Sequence, residues 1–149
     1  MAISYDDVVN AQKTQDSVIR KTSLTFSDTF TKITGSTVYL KNEFEQKTGS
    51  FKLRGAYYKI KTLSEEEKRN GVVAASAGNH AQGVAFASAL EKIKCVIVMP
   101  KNASPAKIAA TKAYGATVVL AGKNYDESWI KAQGIAKTTG ATIIHAFDD

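Results

Sequence analysis

Four short apolar runs, Val72–Ala75, Lys94–Met99, Thr117–Leu120 and Gly140–His145, are separated by three longer stretches with helical signals. The runs have strand length and are rich in valine, isoleucine and threonine. Between them lie an alanine-rich helix over 77–90, a helix opened by Ser104-Pro105 and stopped at Gly115, and a helix over 125–138. Parallel strands need crossover helices, and strands that are apolar throughout need cover on both faces. The expected fold class is therefore α/β: a small open parallel four-stranded sheet with helices on both faces and right-handed crossovers.

The earlier part of the chain reads differently. Ser4–Lys21 is expected to be a helix, capped by Ser4, with Asp6 and Asp7 in its first turn and Val8, Val9, Ala11, Val18 and Ile19 making apolar contacts. Residues 22–28 read as a connector, and 27–34 as a short helix stopped by Gly35. Thr37–Lys41 reads as a strand. After Asn42–Gly49 a helix follows, with Phe51, Leu53, Ala56, Tyr57 and Ile60 at helical spacing. Ser64 and Glu67 form a capping box for a polar helix ending at Asn70-Gly71. Two domains are expected. Residues 1–48 are too few for a core of their own, whereas 49–149 suffice for a small α/β domain.

Composition narrows the function classes. The chain of 149 residues is 44% hydrophobic and 23% charged, as ordinary globular proteins are. No apolar run is long enough to span a bilayer, and residues 1–10 carry two aspartates and no apolar centre, unlike a signal peptide. The single cysteine, Cys95, sits in an apolar run and builds neither a metal cluster nor a disulfide framework, so no metal and a reducing cytoplasm are expected. The net charge is +6 and the pI about 9.4. The lysines are spread along the chain without interleaved aromatics, which argues against nucleic acid and leaves an electropositive mouth for anionic ligands.

Two stretches carry chemistry. In the first, Thr48-Gly49-Ser50 leads into the helix and Ser50 is the expected N-cap. Lys52 then falls in the first turn, where the macrodipole disfavours an ammonium. A readily deprotonated lysine is what imine chemistry with an aldehyde requires. Taken alone, Lys52 reads as an ordinary solvated lysine on an amphipathic helix. The second stretch, Val72–Gly83, is a strand, a polar turn and a helix start. Ligands of open α/β sheets bind beyond such strand ends, and free N–H groups at a helix start favour anions. Gly78 permits close backbone approach, while Ser76, Asn79 and His80 offer hydrogen bonds. Taken alone, His80 reads as a capping residue. The turn is neither a dinucleotide fingerprint nor a P-loop, since Gly78 and Gly83 have no glycine between them and Val84 follows Gly83.

The strings change these readings. Ser50-Phe51-Lys52-Leu53-Arg54-Gly55-Ala56 and Ser76-Ala77-Gly78-Asn79-His80-Ala81-Gln82-Gly83 closely resemble, in this order, two motifs of the threonine dehydratase and serine racemase family of fold-type II pyridoxal-phosphate enzymes. Met99-Pro100, Ser104-Pro105-Ala106-Lys107, Tyr114-Gly115-Ala116 and Phe147-Asp148-Asp149 are similar to the dehydratases as well. The family has a threonine–proline pair where this chain has Thr22-Ser23. The resemblance runs nearly end to end and covers the first half of a family chain. It implies that residues 1–48 are an incomplete N-terminal part of the larger cofactor domain.

It further implies that Lys52 carries pyridoxal 5'-phosphate as a Schiff base, that Phe51 packs against the cofactor ring, and that Asn79 hydrogen-bonds the cofactor's 3-oxygen. Ser76, Ala77, Gly78, Asn79 and His80 would hold the substrate carboxylate. The implied reaction is β-elimination from L-threonine or L-serine to a 2-oxo acid and ammonia. Racemases of the family have a second acid/base serine where Ala77 stands, so alanine points to a dehydratase. The family's phosphate nest is a run of consecutive glycines, and none of the ten glycines here adjoins another. Low activity of these residues alone is therefore expected. The partial larger domain is expected to expose apolar strand surface, leading to self-association as a homo-oligomer or to an unusual packing of residues 1–48. The competing readings are a serine racemase-like enzyme and a cofactor-free α/β carboxylate-binding module.

Overall fold

The computed structural model describes residues 3–148. Met1, Ala2 and Asp149, the last of the Phe147-Asp148-Asp149 run, lie outside the described residues. Four strands, β3 (Val72–Ala75), β4 (Cys95–Met99), β5 (Thr117–Leu120) and β6 (Thr142–Ile143), form one sheet in the order β5-β4-β3-β6, every pair parallel. Helices α5 (Asn79–Leu90), α6 (Pro105–Ala113) and α7 (Tyr125–Thr139) are the crossovers. The expected α/β class holds.

The pleat explains the two-sided cover. Val72 and Ala74 face a core built with Cys95, Ile97 and Met99, α5, and α3 (Lys52–Lys61). Val73, Ala75 and Val98 face Ala132 and Trp129 of α7. Successive strand residues thus serve opposite layers, and all four residues of β3 are buried. Burial pushes the Cys95 thiol up to about 11, and the residue is a free, buried cysteine. Among the described residues no helix is long and apolar enough to cross a membrane.

Local signals fix most helix ends. Ser64 caps α4 (Glu65–Asn70) in a capping box with Glu67. Ser27 caps α2 (Asp28–Thr34), which closes on Gly35 at φ 69°. Gly140, at φ 74°, closes α7.

Six expectations are corrected. The first helix, α1, spans only Tyr5–Gln15 behind its Ser4–Asp7 box. The chain turns there because Gln46 grips Arg20, accepting from its N–H at 3.0 Å and donating to its carbonyl at 2.9 Å, which lays Val18 and Ile19 on the core. The connector contains a strand, β1 (Leu24–Phe26), antiparallel to β2 (Tyr39–Lys41). Strand β2 begins two residues late, because Val38 gives its N–H to the Thr31 hydroxyl and its carbonyl to Ser27 N–H. Helix α5 starts at Asn79 rather than Ala77, because Ser76–Gly78 are spent on the turn. Strand β6 is two residues long, with Ile144 N–H still reaching Val73 O at 2.9 Å. Ser50 does not cap α3: its hydroxyl is buried without a partner among the described residues, as is that of Thr48.

Candidate active site

Strands β3 and β6 are parallel neighbours, so the segments leaving their carboxyl ends emerge side by side. From β3 comes the Ser76-Ala77-Gly78 turn and the start of α5; from β6 comes Ile144–Asp148. The Ser76 hydroxyl accepts from Gly78 N–H at 3.2 Å, which tightens the turn. Asn79 is exposed at the first position of α5, and Ala77 is half-buried against the larger core.

Helix α3 is held to this edge by two contacts. A Cβ at Gly83 would stand 3.2 Å from the Lys52 carbonyl group and from Leu53 N, so α5 and α3 meet backbone to backbone, one turn beyond Asn79. On the other side Arg54 forks onto Glu43, Nε to Oε2 at 2.9 Å and a terminal nitrogen to Oε1 at 2.7 Å. Thr22 also donates to Glu43 Oε1 at 2.7 Å. The Arg54 hydrogen bonds hold the Glu43 carboxyl below its usual range and raise the Arg54 guanidinium in turn.

So positioned, Lys52 lies in the first turn of α3, as the spacing predicts. Its Nζ donates to Ala146 O at 2.6 Å and lies 5.5 and 5.4 Å from the ring centroids of Phe51 and Phe147. His80 is buried, and its Nε2 stands 3.0 Å from Ile144 O. A carbonyl only accepts, so Nε2 carries the proton. The Nε2 donor of His80 is thus spent on the Ile144 carbonyl. The aromatic wall continues from Phe147 to Tyr125 at 5.7 Å, and from His145 to Trp129 at 4.8 Å.

The structure thus gathers Lys52, Phe51 and the segment Ile144–Asp148 at the strand end from which the Ser76–His80 turn emerges. Ala146 O, Phe147 and Arg54 escaped the sequence reading of the site. Arg54 stood in the lysine motif without a role, and the likeness of the Phe147–Asp149 run to the dehydratases pointed near the other two. The residues fit a planar aromatic aldehyde: a half-buried primary amine flanked by two rings, near a helix start. A groove of about 360 Å³ opens elsewhere, at the amino ends of the strands between Asn70, Lys94 and Thr139, and holds none of these residues.

Residues 16–149 match the family pattern described as pyridoxal-phosphate dependent enzyme. The chain is 50% identical over 147 residues to an L-threonine ammonia-lyase of Thermotoga maritima, covering 99% of this chain and 37% of that protein. A serine racemase structure from Dictyostelium discoideum superposes with a TM-score of 0.90 at 35% identity, over 99% of this chain and 48% of that one. The processed form of threonine deaminase isoform 2 from Solanum lycopersicum gives 0.86 at 36% identity, over 100% and 42%. The chain spans less than half the length of each.

Proposed function

The chain belongs to the family of pyridoxal-phosphate-dependent enzymes, and from that premise we propose that it corresponds to the N-terminal portion of an L-threonine/L-serine dehydratase. The reaction is β-elimination to a 2-oxo acid and ammonia. In this reading residues 1–48 belong to the larger cofactor domain and 49–149 form the small domain. The observation that carries it is Lys52 in the first turn of α3, its amine flanked by Phe51 and Phe147. Identity of 50% to a threonine ammonia-lyase supports the substrate class.

When bound, the cofactor supplies an electron sink for the charge left at the substrate's α-carbon. Lys52 Nζ would hold the cofactor covalently, and its free amine would take the α-proton. Phe51 would pack against the cofactor ring, and Asn79 would hydrogen-bond its 3-oxygen. The turn Ser76–His80 orients the substrate carboxylate through the N–H groups at the start of α5. Phosphate binding has no run of adjacent glycines to draw on within these residues, so they alone turn over little. Self-association through the exposed apolar residues of β1, β2 and α2 belongs to the same reading, as does a cytoplasmic setting.

Racemisation is the second reading, favoured by the likeness to the Dictyostelium enzyme. Ala77 opposes it: a methyl group moves no proton, and inversion needs proton transfer on both faces. Titration with pyridoxal phosphate, borohydride reduction and peptide mapping test the central reading. An imine absorbance band with the reduced adduct on Lys52 is expected. Adducts scattered over many lysines would overturn the role of Lys52.

A further inference from the structure

The segment Ile144–Asp148 is held from three sides, and each hold has a distinct chemistry. Lys52 of α3 donates to Ala146 O. His145 Nδ1 accepts from Phe147 N–H at 3.1 Å and Asp148 N–H at 2.9 Å, folding the segment on itself, while its ring meets Trp129 of α7 edge-on. The third hold is His80 of α5, whose Nε2 donates to Ile144 O at 3.0 Å. It acts where the ladder between β3 and β6 runs out. Ile144 gives its N–H to Val73, but β3 ends at Ala75 and the chain leaves the sheet for the Ser76–Gly78 turn. His80, on the helix that this turn opens, supplies a donor from the side.

We infer that His80 is a positioning residue: through Ile144 it fixes the segment whose Ala146 carbonyl and Phe147 ring receive the Lys52 amine. Burial and order in the chain give His80 this role. His80 is only 6% exposed, so its polar ring requires a partner. Ile144 is also buried, at 2%. A buried carbonyl stripped of its donor takes the cost of an unmet hydrogen bond, and the chain relieves it by moving toward water. Ala146 lies two residues on, so that movement reaches the carbonyl that holds Lys52. The pairing links the two motifs of the site. His80 belongs to the turn motif, Lys52 to the lysine motif, and they meet two residues apart on one peptide segment. The significance for catalysis rests on the function proposed above; the positioning itself does not.

The test compares H80Q with H80N in the full chain, without cofactor. A glutamine amide nitrogen reaches as far as Nε2, an asparagine amide only as far as Nδ1. Lys52 is labelled by reductive methylation and quantified by peptide mass spectrometry against Lys112, an exposed lysine on α6. Hydrogen exchange is followed at the Phe147 and Asp148 amides, with those of Val84–Leu90 as the internal standard. In H80N the relative labelling of Lys52 rises about fivefold and exchange at Phe147 and Asp148 about tenfold, the loss expected for one buried hydrogen bond. H80Q stays within about twofold of the parent on both. Unchanged values in H80N, or equal loosening in H80Q, overturn the inference. If H80N does not fold, H80Q decides: parent-like values support the inference, and a loosened segment beside an intact α5 overturns it. Sensitivity of Lys52 to position 80 without an imine band in the cofactor titration would uphold the positioning and overturn the cofactor role proposed above for Lys52 in these residues.

Discussion

Strands β2, Tyr39-Leu40-Lys41, and β3, Val72-Val73-Ala74-Ala75, are both short and end in opposite environments. All four residues of β3 are buried, and all three of β2 are exposed. The difference lies in neighbours as well as in sequence: β3 is apolar throughout, whereas β2 ends in Lys41. β3 has a strand on each side and a helical layer on each face, whereas among the described residues β2 pairs with β1 alone. Leu24, Phe26, Phe30, Ile33 and Tyr39 consequently stay about half or more exposed around this two-stranded ribbon. Short paired strands without a third partner are marginal by themselves. Polar side chains hold this ribbon instead: Asn42 donates to both Ser23 and Thr25 across it, and Lys41 reaches Thr22 O at 2.7 Å.

One side chain in two settings tests the contrast most strongly. Ile97 is fully buried in β4, and Ile33 is 72% exposed on α2. Ile97→Ala is expected to cost about 2–5 kcal/mol in denaturant unfolding, from lost burial and the cavity left behind. Ile33→Ala is expected to stay within about 0.5 kcal/mol. Replacing Phe30 and Ile33 by serine should shift sedimentation toward the monomer at similar stability. An Ile33 cost equal to that of Ile97 would show that something covers the ribbon.

Two helix glycines sharpen the comparison at a smaller scale. A methyl group added at Gly83 would meet the backbone of α3 at 3.2 Å, whereas one added at Gly134 of α7 would have nothing within 4 Å. Gly83→Ala should therefore cost about 1–2 kcal/mol, because a backbone must give way. Gly134→Ala should stabilise by up to about 1 kcal/mol through helix propensity. Thermal unfolding of both variants measures the difference, and a neutral Gly83→Ala would mean that α3 is free to shift.

The smallest effect concerns the seam between the two regions. Glu43 titrates below its usual 4.5 in the folded chain because Arg54 hydrogen-bonds it. Its contribution is present above pH 4.5, where the unfolded carboxylate is already charged, and fades as pH falls through the lower folded value. The pair is partly exposed, so about 1 kcal/mol or less is at stake. Arg54→Ala should flatten the stability profile below pH 4.5 in unfolding measured against pH. An unaltered acid limb would show that the seam is held by other contacts.

What the sequence made legible divides along physical lines. Ser64 with Glu67, Ser27 with Gly35, and Pro105 at the start of α6 act within a few residues, and each was readable. Val72–Ala75 was readable as well, since a strand buried on both faces is apolar at every position. Leu24–Phe26 was not, because three exposed residues carry no alternation and the strand exists through its partner. The end of α1 depends on Gln46, far along the chain. In the site, Lys52 and the Ser76–His80 turn were visible as strings. The Ala146 carbonyl was not: it lies 94 residues from Lys52, and a backbone acceptor leaves no mark on a sequence.

Trp129 gives the edge contact with His145 a practical value. It is the sole indole of the chain, and its emission arises 4.8 Å from the ring that folds Ile144–Asp148. A ligand drawing Lys52 away from Ala146 would disturb that imidazole and change the light emitted. The molecule therefore carries an optical reporter of its own lysine, readable in real time and without a label.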